Sequence, residues 1–258
     1  MASLKSRSGR RVGVIAHRGD HRHEPENSLA ACAEALARGS DGIEVDLRLT
    51  ADGTLVCFHD WYLKRLVGRS GRVSQTNVEQ LLEWPLRHPT SRRRRPVATL
   101  PEMLTLVEDR GLLVLDLKQE SVRHARLEQE TIRHLREFGL CDNIVISSFS
   151  PWVLRRVRQI APQYATALIA STRLGVRLFN PAYCDGLHVD YRLLRCQWFA
   201  RIADQFPRLV VWTVDRKSDL DLPLAGNVHG IMTNRLDRWL RNSPRAARRT
   251  SSLQRVRP

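Results

Sequence analysis

The amino-acid sequence predicts an α/β fold, specifically a closed (β/α)8 barrel. Eight short apolar runs of strand length alternate with longer segments whose apolar residues recur at helical spacing. This alternation implies parallel strands joined by right-handed crossovers. A chain of 258 residues is long enough for eight such units. An open, doubly wound sheet is the alternative, but no Gly-x-Gly-x-x-Gly follows the first strand, which weakens a dinucleotide-binding interpretation.

The predicted barrel strands are short and apolar. They are expected at residues 12–16, 42–47, 112–117, 143–147, 166–170, 186–189, 209–214 and 230–233. Helices are expected between them, at residues 27–38, 101–109, 126–138, 151–161, 196–205, 218–224 and 236–240. Pro101 at a helix start and Gly39 and Gly139 at helix ends fit the usual preference for proline at the first turn and glycine after the last.

Three segments fall outside this alternation. Residues 54–59 follow an Asp-Gly turn and are expected to form a short extra strand. Residues 61–97, hereafter the insertion, interrupt the barrel after its second strand and show little apolar pattern of their own. Residues 1–242 are therefore predicted to form one barrel domain with a small insertion, and residues 243–258 a basic, disordered tail.

The chain is strongly basic, with a formal net charge of +15, and all but four of its 42 basic residues are arginine. Such a charge favours anionic partners, including phosphorylated small molecules and anionic membrane surfaces. Four consecutive arginines at positions 92–95 and the arginine-rich tail are interpreted as solvated, mobile surface. Basic and aromatic residues are not interleaved, so no specific nucleic-acid binding is expected.

The sequence shows no sign of export or of a membrane span. Its apolar runs are only of strand length. The first residues are polar and basic, without the apolar core of a signal peptide, so a cytoplasmic location is expected. Five scattered cysteines without a Cys-x-x-Cys spacing predict free, buried thiols rather than disulfides or a zinc site.

Acidic residues end two neighbouring strands of the predicted barrel. Glu44 and Asp46 lie two residues apart, so strand alternation puts both on one face, and Asp116 ends the next strand. The carboxyl ends of barrel strands form the mouth, where active sites lie. Carboxylates there are costly unless they hold a cation, and an all-oxygen set suits Mg²⁺ or Ca²⁺ rather than zinc. Ion pairs with Arg18 and Lys118 are the alternative.

Histidines and cations from the same mouth complete the candidate site. His17 and His59 are placed on either side of it, and two imidazoles can serve as proton donor and acceptor in one reaction cycle. Arg18 and Lys118 can neutralise a phosphate, and Trp212, near the end of the seventh strand, is a further substrate-binding candidate. The other histidines are interpreted as structural or surface residues: His21, His23, His88, His124, His134, His188 and His229.

The motifs that carry these residues resemble those of the glycerophosphodiester phosphodiesterase family, a group of phospholipase C-like phosphodiesterases. The densest motifs are His17-Arg18-Gly19, Pro25-Glu26-Asn27-Ser28, Gly42-Ile43-Glu44-Val45-Asp46, Thr50-Ala51-Asp52-Gly53 and His59-Asp60. Weaker motifs follow in the family's order: Leu100-Pro101-Glu102, Leu115-Asp116-Leu117-Lys118, Ser147-Ser148-Phe149, Val211-Trp212-Thr213-Val214 and Gly230-Ile231-Met232-Thr233-Asn234. The resemblance covers residues 12–240.

The resemblance implies a TIM barrel with a small insertion and hydrolysis of glycerophosphodiesters to glycerol 3-phosphate and an alcohol. It implies a divalent cation, Mg²⁺ or Ca²⁺, held by Glu44, Asp46 and the acid of the third strand. It also implies that His17 and His59 are the general acid and base.

The same resemblance gives roles to residues of the loop after the first strand. It implies that Arg18 contacts the phosphate, and that Glu26 and Asn27 fix this loop and support the metal ligands from behind.

The chain departs from the family's usual pattern at a few positions. Asp116 stands where glutamate is usual, and its side chain is one methylene shorter. Asp215, His229 and Asn234 also differ, which leaves substrate preference open. Because the insertion is short, hydrolysis of the lysophospholipase D type or of another phosphodiester on the same barrel is an alternative function. A catalytically idle barrel that binds anions or membranes is the third interpretation.

Overall fold

The computed structural model describes residues 11–108, 110–119, 125–220 and 228–240. Its strands in chain order are β1 (Gly13–His17), β2 (Gly42–Leu49), β3 (Leu55–Cys57), β4 (Leu86–Arg87), β5 (Arg94–Arg95), β6 (Leu112–Leu117), β7 (Ile144–Ser148), β8 (Ala165–Ala170), β9 (Gly186–Asp190), β10 (Leu209–Trp212) and β11 (Val228–Thr233). All except β3, β4 and β5 pair in parallel, and β1 contacts both β2 and β11. The predicted closed eight-stranded barrel is confirmed.

The observed strands lie close to the predicted ones. The predicted seventh strand is shorter than expected, because β10 ends at Trp212. The extra strand also exists: β2 extends to Leu49 and pairs with β3 in antiparallel fashion. The chain therefore leaves the barrel after β2, turns back along it and delivers residues 58–60 to the mouth.

Helices connect most of the barrel strands. They are α1 (Leu29–Ala37), α2 (Val78–Leu82), α3 (Leu100–Val107), α4 (Arg126–Glu137), α5 (Pro151–Ile160), α6 (Arg173–Arg177), α7 (Gln197–Ala200) and α8 (Leu236–Trp239). The segment predicted as one helix at 196–205 is divided into α7 and a 3-10 turn, Ala203–Gln205. Of the helix predicted at 218–224, only a 3-10 turn, Lys217–Leu220, falls within the described residues. The sequence did not predict α2 or α6, because five residues are too few to show helical periodicity.

The predicted helix boundaries next to the site have clear physical causes. Ser28 precedes α1, and its hydroxyl accepts a hydrogen bond from the backbone N–H of Ala31 at 3.2 Å. Gly39 and Gly139 adopt φ values of +87° and +65°, the left-handed conformation that ends helices. The Ser28 cap fixes the start of α1 directly after the loop that follows β1, and so it also fixes that loop.

Two apolar layers follow from strand alternation. Ile43, Val45 and Leu47 of β2 point outwards and pack with the helices in the main core. A smaller cluster inside the barrel includes Ile15 and Met232 and lies beneath the mouth. The intervening polar residues of β2 consequently face the barrel interior, as the sequence predicted.

The insertion has a core of its own, which corrects the expectation that it lacks an apolar pattern. Its buried residues are Leu63, Leu66, Val67, Val73, Leu81, Leu86 and Val97, and they form one cluster with Val56 and Phe58 of the preceding segment. The sequence did not reveal this cluster because its members are scattered over short turns rather than repeated along one helix or strand. Strands β4 and β5 form a hairpin within it.

The run of four arginines is exposed, but it is not simply solvated. Arg93 and Arg95 both form ion pairs with Glu24, whose side chain is only 7% exposed. The pairs join the insertion to the loop after β1. The interpretation of this run as unattached surface was therefore wrong for these two residues.

All five thiols are free, and the prediction that they are buried holds for Cys32, Cys57 and Cys184 but not for the partly exposed Cys141 and Cys196. Among the described residues, no helix is long and apolar enough to cross a membrane. The basic tail, residues 1–10 and His124 lie outside the described residues, so the interpretations of these segments stay predictions.

Candidate active site

Parallel register brings the predicted site residues together at the barrel mouth. His17 of β1 lies beside Glu44 of β2, and Asp46 of β2 lies beside Asp116 of β6. One carboxylate oxygen from each of Glu44, Asp46 and Asp116 lies within 4.8 Å of the other two, and all three residues are buried. The shorter side chain of Asp116 is therefore long enough to reach the cluster.

Two cations contact this acidic cluster, so the alternative of ion pairing is realised in part. Lys118 Nζ lies 2.5 Å from Asp116 Oδ2 and 3.1 Å from Asp46 Oδ1, and Arg18 Nε lies 3.1 Å from Asp46 Oδ2. Even so, the buried Oδ1 atom of Asp116 accepts no hydrogen bond from the described residues, and Oδ1 of Asp46 is approached only by Lys118 among them. Buried carboxylate oxygens with so few donors can bind a cation that prefers oxygen ligands, so Mg²⁺ or Ca²⁺ fits these residues.

The electrostatics of the cluster also favour an added cation. Burial raises the pKa of Glu44 well above its ordinary value, and the neighbouring charges of Asp46 and Asp116 raise it further. Burial would raise the pKa of Asp46 as well, but Lys118 and Arg18 outweigh it and hold that pKa below its usual range. Three carboxylates face two protein cations here, and a divalent ion would relieve the repulsion that Glu44 experiences.

His17 is held by a side chain from the opposite end of the chain. Its Nδ1 lies 2.8 Å from Oδ1 of Asn234, and His21 Nε2 approaches the same oxygen at 2.9 Å. An amide oxygen can only accept, so both rings donate to it. Asn234 is fixed in turn by Asp215, which accepts from its backbone and side-chain N–H groups. Burial, followed by the charge of Arg18, lowers the pKa of His17 to about 4.

His59 is held by different partners. Its Nδ1 lies 2.8 Å from Oδ1 of Asp60, and its carbonyl accepts two hydrogen bonds from the Arg48 guanidinium, at 2.9 and 2.7 Å. Arg48 also donates to the carbonyl of Lys118, which ties the segment after β3 to the end of β6. In both histidines Nδ1 is engaged, so Nε2 is the nitrogen left for a substrate.

The loop after β1 wraps around the acidic cluster. Arg18 has a φ of +59°, and its backbone N–H donates to Glu44 Oε2 at 3.1 Å. Asn27 also has a φ of +59°; its amide donates to Asp46 Oδ2 at 2.8 Å and accepts from the Asp46 backbone N–H. Glu26 accepts hydrogen bonds from Arg18 and Arg65. Left-handed conformations of non-glycine residues are strained, and their concentration beside the carboxylates is typical of a functional site.

A small pocket of about 90 Å³ opens among these side chains. Its lining includes most of the predicted residues: His17, Arg18, Glu44, His59, Asp116, Lys118 and Trp212. Asp46, Glu26 and Asn27 lie behind this lining. The buried indole Nε1 of Trp212 has no hydrogen-bonding partner among the described residues, and Trp212 packs edge-to-face against Phe149.

Several residues that the sequence did not assign to the site also contribute. His188, interpreted from the sequence as a structural or surface residue, is buried and lines the pocket, and burial lowers its pKa to about 4. Strand alternation could have identified His188. Its neighbours Leu187 and Val189 point outwards, so His188 must face the barrel interior. His21 and Arg65 had no sequence signal, since each reaches the site through a loop.

Residues 17–238 match the family model described as the glycerophosphoryl diester phosphodiesterase family. The chain belongs to this family. The family and fold predicted from the sequence are thus confirmed, and with them the prediction of a phosphodiesterase-class enzyme.

Individual relatives agree with the family match. A glycerophosphodiester phosphodiesterase of Caldanaerobacter subterraneus is 32% identical over 230 residues, covering 86% of this chain and 93% of its own. A probable glycerophosphodiester phosphodiesterase 1 of Mycobacterium tuberculosis is 31% identical over 251 residues. This match covers 88% of this chain and 92% of the relative.

Solved structures show the same fold at lower sequence identity. An Oleispira antarctica phosphodiesterase in complex with the product sn-glycerol-3-phosphate superposes with a TM-score of 0.78 and is 23% identical, covering 88% of this chain and 94% of its own. A putative glycerophosphoryl diester phosphodiesterase from Silicibacter pomeroyi superposes with a TM-score of 0.77 and is 22% identical in sequence. The match covers 93% of this chain and 94% of that protein.

Proposed function

We propose that the chain hydrolyses glycerophosphodiesters to glycerol 3-phosphate and an alcohol, with a divalent cation as cofactor. The observation that carries this proposal is a single pocket that combines the imidazoles of His17 and His59, two cations and part of a buried acidic cluster. The relatives named for this activity and the neighbour in complex with sn-glycerol-3-phosphate support the product.

The chain's own residues supply the proton transfers and the phosphate contacts. Nε2 of one histidine, His17 or His59, takes the proton of the attacking oxygen, and Nε2 of the other donates a proton to the leaving alkoxide. Arg18 and Lys118 neutralise the phosphoryl oxygens, whose charge must be stabilised during phosphoryl transfer. Trp212 Nε1 is a donor for a hydroxyl of the glycerol half.

Glu44, Asp46 and Asp116 would hold the cation, Mg²⁺ or Ca²⁺. When bound, it offsets negative charge on the phosphoryl oxygens. Arg18 and Lys118 contact the Asp46 and Asp116 carboxylates in the structure, which keeps the cluster compact without the ion.

The test is release of glycerol 3-phosphate from a panel of glycerophosphodiesters, after chelation and then during titration with Mg²⁺ or Ca²⁺. His17→Ala and His59→Ala are each expected to lower kcat by about a hundredfold or more, because each removes a proton-transfer group. His134→Ala, in α4 and outside the lining of the pocket and of the cleft beside it, is the matched control and is expected to retain the parent rate. Hydrolysis of no diester with either metal, or full activity of both histidine variants, would overturn the proposal.

A lysophospholipase D-type reaction is the second candidate. It is supported by a cleft of about 640 Å³ that shares His59, Lys118 and Phe149 with the catalytic pocket and has room for a bulky substrate. Including a lysophospholipid in the panel tests it, and no turnover of that lipid removes it.

Peripheral contact with an anionic membrane is supported by the net charge and by exposed Trp61, Tyr62, Phe149 and Trp152. Vesicle co-sedimentation tests this contact. Binding to anionic vesicles without hydrolysis of any diester would instead favour the idle barrel.

A further inference from the structure

The cleft beside the catalytic pocket has an unusual wall. The cleft adjoins the residues that are assigned to the phosphate. Under the proposed function, on which this inference rests, the cleft receives the alcohol half of the diester. Three aromatic rings line it, from Trp61, Tyr62 and Phe149, and each of them is exposed by more than 40%. Exposed aromatic faces at a binding site are ordinarily available for quaternary ammonium groups.

Here a cation of the protein already approaches each ring. The Arg48 guanidinium carbon lies 4.5 Å from the centroid of Trp61, and Lys118 Nζ lies 5.3 Å from that of Phe149. The Arg72 guanidinium carbon lies 5.0 Å from the Tyr62 centroid, and Arg72 also donates to the Tyr62 hydroxyl.

Arg48 is held at Trp61 by its hydrogen bonds to the carbonyls of His59 and Lys118, so it is fixed independently of any ligand. An ammonium group entering the cleft would therefore meet a positive charge at every ring.

The other charged side chains that line the cleft are mostly cationic. Asp60 is the one carboxylate among the described residues that line it, and it is engaged by His59 and Arg65. Lys64 also lines the cleft, is exposed, and forms no ion pair with the described residues. The cleft therefore presents donors and positive charge, with no carboxylate free to bind a cationic headgroup.

We propose that this cleft selects diesters whose leaving alcohol is an uncharged or anionic polyol and disfavours alcohols that carry an ammonium group. Hydroxyl groups of a polyol can accept hydrogen bonds from Lys64 and Lys118. A choline or ethanolamine headgroup would be repelled by the same side chains.

The experiment compares kcat/KM for glycerophosphoglycerol and glycerophosphoinositol with kcat/KM for glycerophosphocholine. The polyol diesters are expected to exceed the choline diester by about tenfold or more, mainly through KM. Lys64→Glu is expected to reduce this ratio about fivefold, because it places a carboxylate in the cleft. Lys217→Glu makes the same charge change on an exposed residue outside the cleft and is expected to leave the ratio unchanged.

A second variant tests the aromatic wall. Arg72→Ala removes the cation from the Tyr62 ring and is expected to raise the ratio of kcat/KM for the choline diester to kcat/KM for the polyol diesters. Equal or better turnover of glycerophosphocholine by the parent protein overturns the inference and leaves the proposed function standing. Equal effects of Lys64→Glu and Lys217→Glu overturn it as well. Failure to hydrolyse any of the diesters overturns both the inference and the proposed function.

Discussion

Single side chains decide how the carboxylates are presented at the barrel mouth. The side-chain amide of Asn27 holds Asp46 twice: it donates to the Asp46 carboxylate and accepts from the Asp46 backbone N–H. Asparagine tolerates the left-handed backbone at this position better than most residues do. Because the hydrogen bond restricts the Asp46 carboxylate, Asn27 would hold the cluster ready for the proposed cation.

Replacing Asn27 should therefore weaken cation binding. Asn27→Ala is expected to lower the affinity for Mg²⁺ or Ca²⁺ by about 10- to 100-fold, since partners that orient metal ligands contribute that much. Isothermal titration of the chelated protein measures this affinity. Asn77→Ala, which removes an exposed asparagine from the start of α2, is the control. Equal affinity in the two variants would contradict the role given to Asn27.

Glu26 makes the stability of the same loop depend on pH. Burial would raise the pKa of its carboxyl group, but Arg65 and Arg18 lower it from 4.5 to about 2. When folding lowers the pKa of a carboxyl group, the ionised group stabilises the folded protein at every pH above the pKa of the unfolded state. This stabilisation decreases as the pH falls from the pKa of the unfolded state to the pKa of the folded state. The loss should occur between pH 4.5 and about pH 2.

Glu26→Gln is accordingly expected to lower the free energy of unfolding at neutral pH, by up to about 3 kcal/mol. The difference from the parent protein should shrink as the pH falls below 4.5. Urea unfolding at pH 7 and at pH 3 measures both values. A difference that is the same at the two pH values would exclude this electrostatic origin.

At the scale of elements, the insertion is linked to the loop after β1 by charge. Arg93 and Arg95 converge on the nearly buried carboxylate of Glu24, and Arg65 binds Glu26 two residues further on. The Arg93 and Arg95 side chains are 55% and 41% exposed, so without Glu24 they would move freely into solvent. The hairpin of β4 and β5 should therefore open more readily when Glu24 is lost.

Glu24→Ala is expected to speed tryptic cleavage within residues 92–95 several-fold, because the arginines would then be accessible more often. Mass spectrometry of timed digests locates the cut. Glu83→Ala is the control, since Glu83 is exposed and forms no ion pair with the described residues. Digestion at the parent rate in Glu24→Ala would show that the ion pairs do not hold the hairpin.

At the scale of the whole molecule, closure of the barrel depends on close backbone approach at β2. Gly42 pairs with Ile15 of β1 and with Leu112 of β6. A Cβ at position 42 would lie 2.5 Å from the carbonyl oxygen of Leu112, closer than real contacts allow. Position 42 therefore requires glycine, because the backbones of β2 and β6 approach each other closely there. This position lies two residues before Glu44.

Gly42→Ala is expected to destabilise the protein by about 1–3 kcal/mol through this overpacking. Alanine is otherwise the better residue in a strand interior, so a loss would come from the contact itself. Gly13→Ala is the control, because its Cβ would meet nothing closer than 3.5 Å. Thermal unfolding of both variants measures the effect. Equal melting temperatures of Gly42→Ala and Gly13→Ala would show that the close contact between β2 and β6 does not require glycine.

The sequence by itself determined the barrel, the faces of its strands and most of the pocket's lining. These features follow from patterns within a few residues, because side chains alternate along a strand and the carboxyl ends of parallel strands meet at one mouth. Glu44, Asp46 and Asp116 were assigned on that basis and lie together. Their catalytic and ligand roles stay predictions until the experiments above are done.

Only the tertiary structure decided which groups restrain the site. Asn234 holds His17 from 217 positions away, Arg48 ties His59 to β6, and Arg65 reaches Glu26 from the insertion. The cations over the cleft's aromatic rings also come from separate elements. Such contacts depend on strand register, loop path and side-chain rotamer together. No local pattern in the sequence encodes that combination, because these partners become neighbours only when the barrel closes.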